Sequence, residues 1–256
     1  MHRYLIIIGI FVSLQLSGQE SKTKNFLSEI SNYDFSQLWT SNKILVENET
    51  KAERDEPLGY IGDNYQRFYI HFISANQNPG NKQEYLIYGK TLVKDNICSF
   101  QGKLFIKEAR TYLIGDLPPL KQGYVKGWYE FYEDQKQKGS GKLSGSFTTY
   151  FYIDSKGKIQ YDALNMNADG YNNNQFEGIW TSYKTNETKK CNWGDYRIPD
   201  SKQLDCGAAE FSVSDRYVAN GWLSYMLATS ASPDRADPKG YARKEEHRKW
   251  WLEKRK

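Results

Sequence analysis

The chain has 256 residues, 39% of them hydrophobic and 15% aromatic, with a formal net charge of +4. That many aromatic residues exclude a chain left disordered for want of surface to bury. The charge is concentrated: residues 239–256 hold eight Lys/Arg against three Glu, while residues 19–238 sum to −2, so the body offers no basic groove for nucleic acid.

The first sixteen residues read MHRYLIIIGIFVSLQL and are followed by small and polar Ser17, Gly18 and Gln19. The apolar core is too short to cross a bilayer, and one basic residue precedes it, which predicts a signal peptide over residues 1–18. The mature chain is then secreted or periplasmic. No cysteine follows the leader to carry a lipid, and no later stretch is apolar enough to span a membrane. Residues 19–228 are expected to form a single β-rich domain with a packed helix. Residues 229–256 are expected to form a linker and a basic C-terminal helix.

Residues 20–40 read as an irregular or helical entry anchored by Phe26, Leu27, Ile30, Leu38 and Trp39. Strands are expected at 43–48, 67–75, 83–93, 97–109, 123–133, 142–153, 158–164 and 175–184, where β-branched and aromatic residues cluster between turn formers. An acidic stretch at 47–57 reads as a solvated loop. No helical pattern interrupts the series, so the fold class is mainly β. The expected architecture is an antiparallel meander forming a barrel or strongly curved sheet, with a β-sandwich as the alternative. Gly102, Gly145 and Gly178 share an apolar-x-Gly-x-apolar setting, which suits bends in a strongly coiled sheet. Phe68, Ile70 and Phe72 share one strand face and Tyr69, His71 and Ile73 the other, and either face could be internal. One or two C-terminal helices are expected, over 214–228 and 239–256, the second starting at Asp237–Pro238 and docked through Trp250 and Trp251.

Three cysteines follow the leader. Cys191 and Cys206 flank a segment rich in turn formers in a disulfide-permissive compartment, and they are expected to be bridged, contributing about 3 kcal/mol. Cys98 reads as a buried thiol within a strand. Only His71 and His247 remain after the leader, and no Cys-x-x-Cys occurs, so no metal site is expected. No cofactor is expected either. The chain lacks Gly-x-Ser-x-Gly, His-Glu-x-x-His and Gly-x-Gly-x-x-Gly. Gly89-Lys90-Thr91 resembles the end of a phosphate loop, but Glu84 stands where its first glycine belongs.

Two polar clusters stand out. Asp63, Asn64, Arg67 and His71 follow a glycine-flanked tyrosine; Trp193, Asp195 and Arg197 lie between the two cysteines. Aromatic rings beside Asp, Asn and Arg suit a rim that stacks on and orients a small ligand. The bland alternative is an Asp–Arg pair that locks loops to the body.

The stretches PLGYIGDNYQRFYIHFIS and KKCNWGDYRIPDSKQLDCGAAEF resemble those of uncharacterised exported β-rich proteins of the Bacteroidota, over roughly Asp34 to Ala228. Gly127-Trp128-Tyr129 is similar to the Gly-x-Trp signature of lipocalins, though placed mid-chain. The resemblance implies export and carries no activity. The leading expectation is an exported, non-enzymatic binding protein of the cell envelope with a small amphipathic or sugar-like ligand. A protein-interaction or inhibitor module is one alternative. The other is a glycan hydrolase using two carboxylates among Asp63, Asp169, Glu177 and Asp195. The basic tail offers a weak contact for an anionic surface.

Overall fold

The computed structural model describes residues 22–46, 50–230, 237 and 239–253. The expected signal peptide therefore lies outside the described residues.

Twelve strands are described: β1 (Thr23–Asn25), β2 (Lys43–Leu45), β3 (Lys51–Glu53), β4 (Leu58–Ile61), β5 (Gln66–Asn78), β6 (Asn81–Val93), β7 (Asn96–Tyr112), β8 (Lys121–Glu133), β9 (Gly141–Ile153), β10 (Ile159–Tyr161), β11 (Asn173–Ser182) and β12 (Thr188–Asp195). Strands β4 to β9 pair in sequence, β9 then pairs β11, β11 pairs β12, and β12 pairs β4. All these ladders are antiparallel, so eight strands close into a ring. The protein is mainly β, as expected, and a two-sheet sandwich is not what forms. Strands β1 and β10 extend β7 and β9, and β2 and β3 form a separate hairpin.

Closure depends on residues with no side chain. Trp193 lies opposite Gly59 across the β12–β4 ladder. A Cβ at Gly59 would meet the Phe68 carbonyl at 2.9 Å and Trp193 Cβ at 3.0 Å. The recurrent glycines act similarly: Gly145 faces Gly178, and a Cβ on Gly145 would come within 2.0 Å of the Glu177 carbonyl. Bulges between Phe72 and Ser74 and between Ile106 and Glu108 add local bending.

The phenylalanine face is the inner one. Phe68, Ile70, Phe100, Leu104, Phe131, Phe147, Phe176 and Trp193 are buried in one aromatic core inside the ring. Strand alternation then puts Arg67, Tyr69 and His71 outside. One end of the ring is filled by the N-terminal segment, where helix α1 (Gln37–Thr40) carries Leu38 and Trp39 into the core. There Trp39 Nε1 donates to Thr149 Oγ1 at 3.0 Å, and Thr149 donates to Asn174 at 2.8 Å.

The segment after β12 covers the outer face of β4 and β5. Leu58, Tyr60, Ile198, Leu204, Phe211, Val213, Tyr217 and Trp222 form a second buried cluster there. The helix expected over 214–228 is split into a 3-10 turn (Asp215–Asn220) and α2 (Leu223–Thr229). Gly221 separates them at φ +93°, where a Cβ would meet Arg67 Cβ at 2.9 Å. The last helix, α3, is shorter than expected (Tyr241–Glu246). After a break past α3 the chain continues as a short 3-10 helix (Trp250–Leu252), in which buried Trp250 packs beside Tyr69 and Trp251 stacks on His71. No described helix is long and apolar enough to cross a membrane.

The expected disulfide does not form. Cys98, Cys191 and Cys206 are all thiols. What reads as a loop is strand β12, whose alternation turns Cys191 into the ring interior, whereas Cys206 lies exposed in the outer layer. An ion pair closes that segment instead: Arg197 Nη2 donates to Asp205 Oδ2 at 2.6 Å, and Arg197 also donates to the Gly207 carbonyl at 2.9 Å.

Candidate functional site

The two polar clusters read from the sequence meet through the β4–β12 ladder, where Asn192 pairs with Tyr60 and Trp193 with Gly59. Their seven residues nevertheless fall in three places. Trp193 and Asp195 point into the ring. Asp63 and Asn64 stand at its open end. Arg67, His71 and Arg197 lie on the outside.

Inside, Trp193 is 1% exposed and stacks on Phe176, with centroids 4.9 Å apart. Asp195 Oδ2 accepts from Tyr161 and Asn174, each at 2.8 Å, with Arg54 Nε 4.0 Å away. Its Oδ1 has no hydrogen-bond partner. Burial raises the Asp195 pKa against the opposing pull of Arg54, Tyr161 and Asn174. This network ties α1 to the ring, because Arg54 donates to the carbonyls of Leu38 and Trp39.

At the open end, a cavity of about 960 Å³ is lined by Asp63, Asn64, Phe68, Cys98, Glu133 and Trp180 among others. Buried Glu133 receives hydrogen bonds from Thr91 Oγ1, from Gly141 N at 2.7 Å and from Trp180 Nε1 at 3.0 Å. Burial still raises its pKa. The charges around this mouth balance: Lys94, Lys138, Lys189 and Lys190 against Asp63, Asp95, Glu133 and Glu187.

Outside, beside the filled end, a cleft of about 580 Å³ lies between the outer face of β4 and β5, the 166–171 loop, α2 and α3. Arg67 and Arg197, one from each sequence cluster, both line it. Arg67 is 2% exposed; its guanidinium lies 4.2 Å from the ring centroid of Trp222, 4.6 Å from Tyr69 and 5.3 Å from Tyr225. Its Nη2 donates to Glu246 Oε2 at 3.1 Å, and Nε and Nη1 have no partner. Four tyrosines, Tyr69, Tyr171, Tyr196 and Tyr225, give the cleft its walls. Tyr196 sits at φ +65°, a left-handed backbone that costs a bulky residue about 1–3 kcal/mol. Its ring packs on Tyr171 at 5.0 Å.

Five carboxylates line the same cleft: Asp55, Glu56, Asp169, Glu210 and Glu246. Asp55 is exposed as a residue, yet its pKa is raised. Loss of water around the carboxyl is the main cause, Glu56 and Glu246 add to it, and His247 opposes it. Because the side chain remains partly in water, the shift carries little energetic weight.

Sequence reasoning found Arg67, Arg197 and Asp169 but missed the tyrosine walls and the other four carboxylates, Asp55, Glu56, Glu210 and Glu246. Asp55 and Glu56 come from a stretch read as a solvated loop, Glu210 from the segment after β12 and Glu246 from the tail, and only the fold brings them together. The four carboxylates weighed for hydrolysis are dispersed: Asp63 at the mouth, Asp169 at the cleft, Asp195 inside the ring and Glu177 exposed on β11. Among the described residues, no group of three or more His, Cys, Asp or Glu is placed to hold a metal ion. No family model, curated protein or solved structure matches this chain.

Proposed function

We propose that this is an exported, non-enzymatic binding protein of the cell envelope that holds a small amphipathic or sugar-like ligand in the outer cleft. One observation carries the reading: Arg67 and Arg197 converge on a tyrosine-walled cleft in which Tyr196 is held in a strained backbone. Strain of this kind gathers where a side chain must be aimed. Tyrosine rings offer flat apolar faces with polar tips, and the flanking carboxylates and guanidiniums suit hydroxyl or charged groups on a ligand. The leader over residues 1–18 supports export.

The test is a chemical-shift map of the mature protein against a panel of monosaccharides and small amphiphiles. The reading expects saturable shifts at Tyr171, Tyr196 and Arg243. Shifts confined to Asp63, Asn64 and Lys138 would move the site to the mouth, and a panel with no saturable binder would sink the proposal.

A protein-interaction role has its own support in the loop after β7, where Leu113 and Ile114 are 62% and 87% exposed. Ile114→Lys should abolish a partner contact there and leave the cleft unaffected.

A further inference from the structure

The cleft holds two opposite poles. The positive pole is Arg67, almost wholly buried, with two nitrogens that lack hydrogen-bond partners. It already holds one carboxylate: Glu246 of α3 accepts from Arg67 Nη2 at 3.1 Å through one oxygen and from Ser224 Oγ at 2.5 Å through the other. A guanidinium and a hydroxyl gripping the two oxygens of one carboxyl form a seat for that group. The negative pole is Asp55, beside Glu56. Asp55, Asp169 and Glu210 form no ion pair among the described residues, so negative charge at the cleft exceeds what its own cations neutralise. Tyr69 and Tyr225 already flank one cation, Arg67, and the exposed parts of the tyrosine walls offer further ring faces.

The two poles line one cleft. Glu246 touches Arg67 and also acts electrostatically on Asp55.

We propose that the cleft binds a compact zwitterion of the α-amino acid class, its carboxylate taking the seat that Glu246 occupies on Arg67 and Ser224, its ammonium meeting Asp55. The side chain of such a ligand lies against the tyrosine walls. This rests on the cleft being the ligand site. Glu246 then acts as a stand-in that the ligand displaces, and removing its charge favours the ligand.

Calorimetric titration of the full mature protein with phenylalanine, phenethylamine and 3-phenylpropanoate separates the poles, since the second lacks the carboxylate and the third the amine. Phenylalanine should bind at least about tenfold more tightly than either. Asp55→Asn should erase its advantage over 3-phenylpropanoate. Glu246→Gln should tighten phenylalanine, whereas a purely structural Glu246 would loosen the cleft and weaken it. Equal affinity for phenylalanine and either analogue overturns the proposal. So does a neutral sugar that binds in the cleft while all three probes fail, and that result leaves the cleft reading standing. Failure of both the probes and the sugar panel overturns both.

Discussion

Trp251 lies flat on His71, with ring centroids 3.7 Å apart and planes 9° from parallel. Nδ1 of the same imidazole is 3.0 Å from both carboxylate oxygens of Glu56, and Lys90 Nζ donates to the Trp251 carbonyl at 2.5 Å. These contacts pin the C-terminal arm to the outside of β5 and β6, and α3 thereby becomes a wall of the cleft. Trp251→Ala should release the arm at a cost of about 1–2 kcal/mol. Hydrogen exchange would read this as faster exchange in Tyr241–Glu246 with the ring strands unchanged. Unaltered protection of α3 would show that the stack does not hold it.

The thiols give a second expectation. Burial raises the Cys191 pKa, and Cys98 is also buried, so neither should react quickly. A thiol reagent should label one cysteine, Cys206, in the native protein and three after denaturation. Cys206→Ser should change stability by less than about 0.5 kcal/mol without reductant. A loss of about 3 kcal/mol would instead indicate a loop-closing disulfide.

Glu133 sets a pH dependence. Its native pKa is raised by burial above the ordinary 4.5, so between those two values the native state binds more protons than the unfolded one. Stability should therefore fall as pH rises from 4.5 through the native value and then level off. Denaturant unfolding across this range should show Glu133→Gln gaining on the wild type as pH rises. A difference that is flat with pH, or of opposite sign, would contradict the assignment.

Trp193 belongs to the core, and its truncation reports on folding before it reports on any ligand. Trp193→Ala should cost about 3–5 kcal/mol. Gly145→Ala should be comparably damaging, because its Cβ would come within 2.0 Å of the Glu177 carbonyl and force β9 and β11 apart. Urea unfolding measures both, and a near-neutral Gly145→Ala would mean that the ring opens there at little cost.

The long strands were legible because β-branched and aromatic residues recur between clear turns. The closing pair was not. β4 has four residues around Gly59 and Tyr60, and β12 carries Asn192, Gly194 and Asp195 among its apolar positions, so both looked like polar loops. Alternation was present in β12, with Cys191, Trp193 and Asp195 on one face, but an inward carboxylate disguised it. That buried Asp195 is explained only by Tyr161, Asn174 and Arg54, which come from elsewhere in the chain. Arg67 was legible as a polar residue in an aromatic strand. Its partner Glu246 was hidden in a tail that read as a charged, solvated helix.

The most direct test of ligand binding in the cleft is a native mass spectrum of the mature protein and its Tyr196→Gly variant, purified side by side from an oxidising compartment. Glycine relieves the left-handed backbone and removes the ring, so the variant should stay folded to within about 1 kcal/mol. The account predicts a reproducible small-molecule adduct on the wild type that the variant lacks. An adduct equally present on both proteins would contradict the cleft as its site.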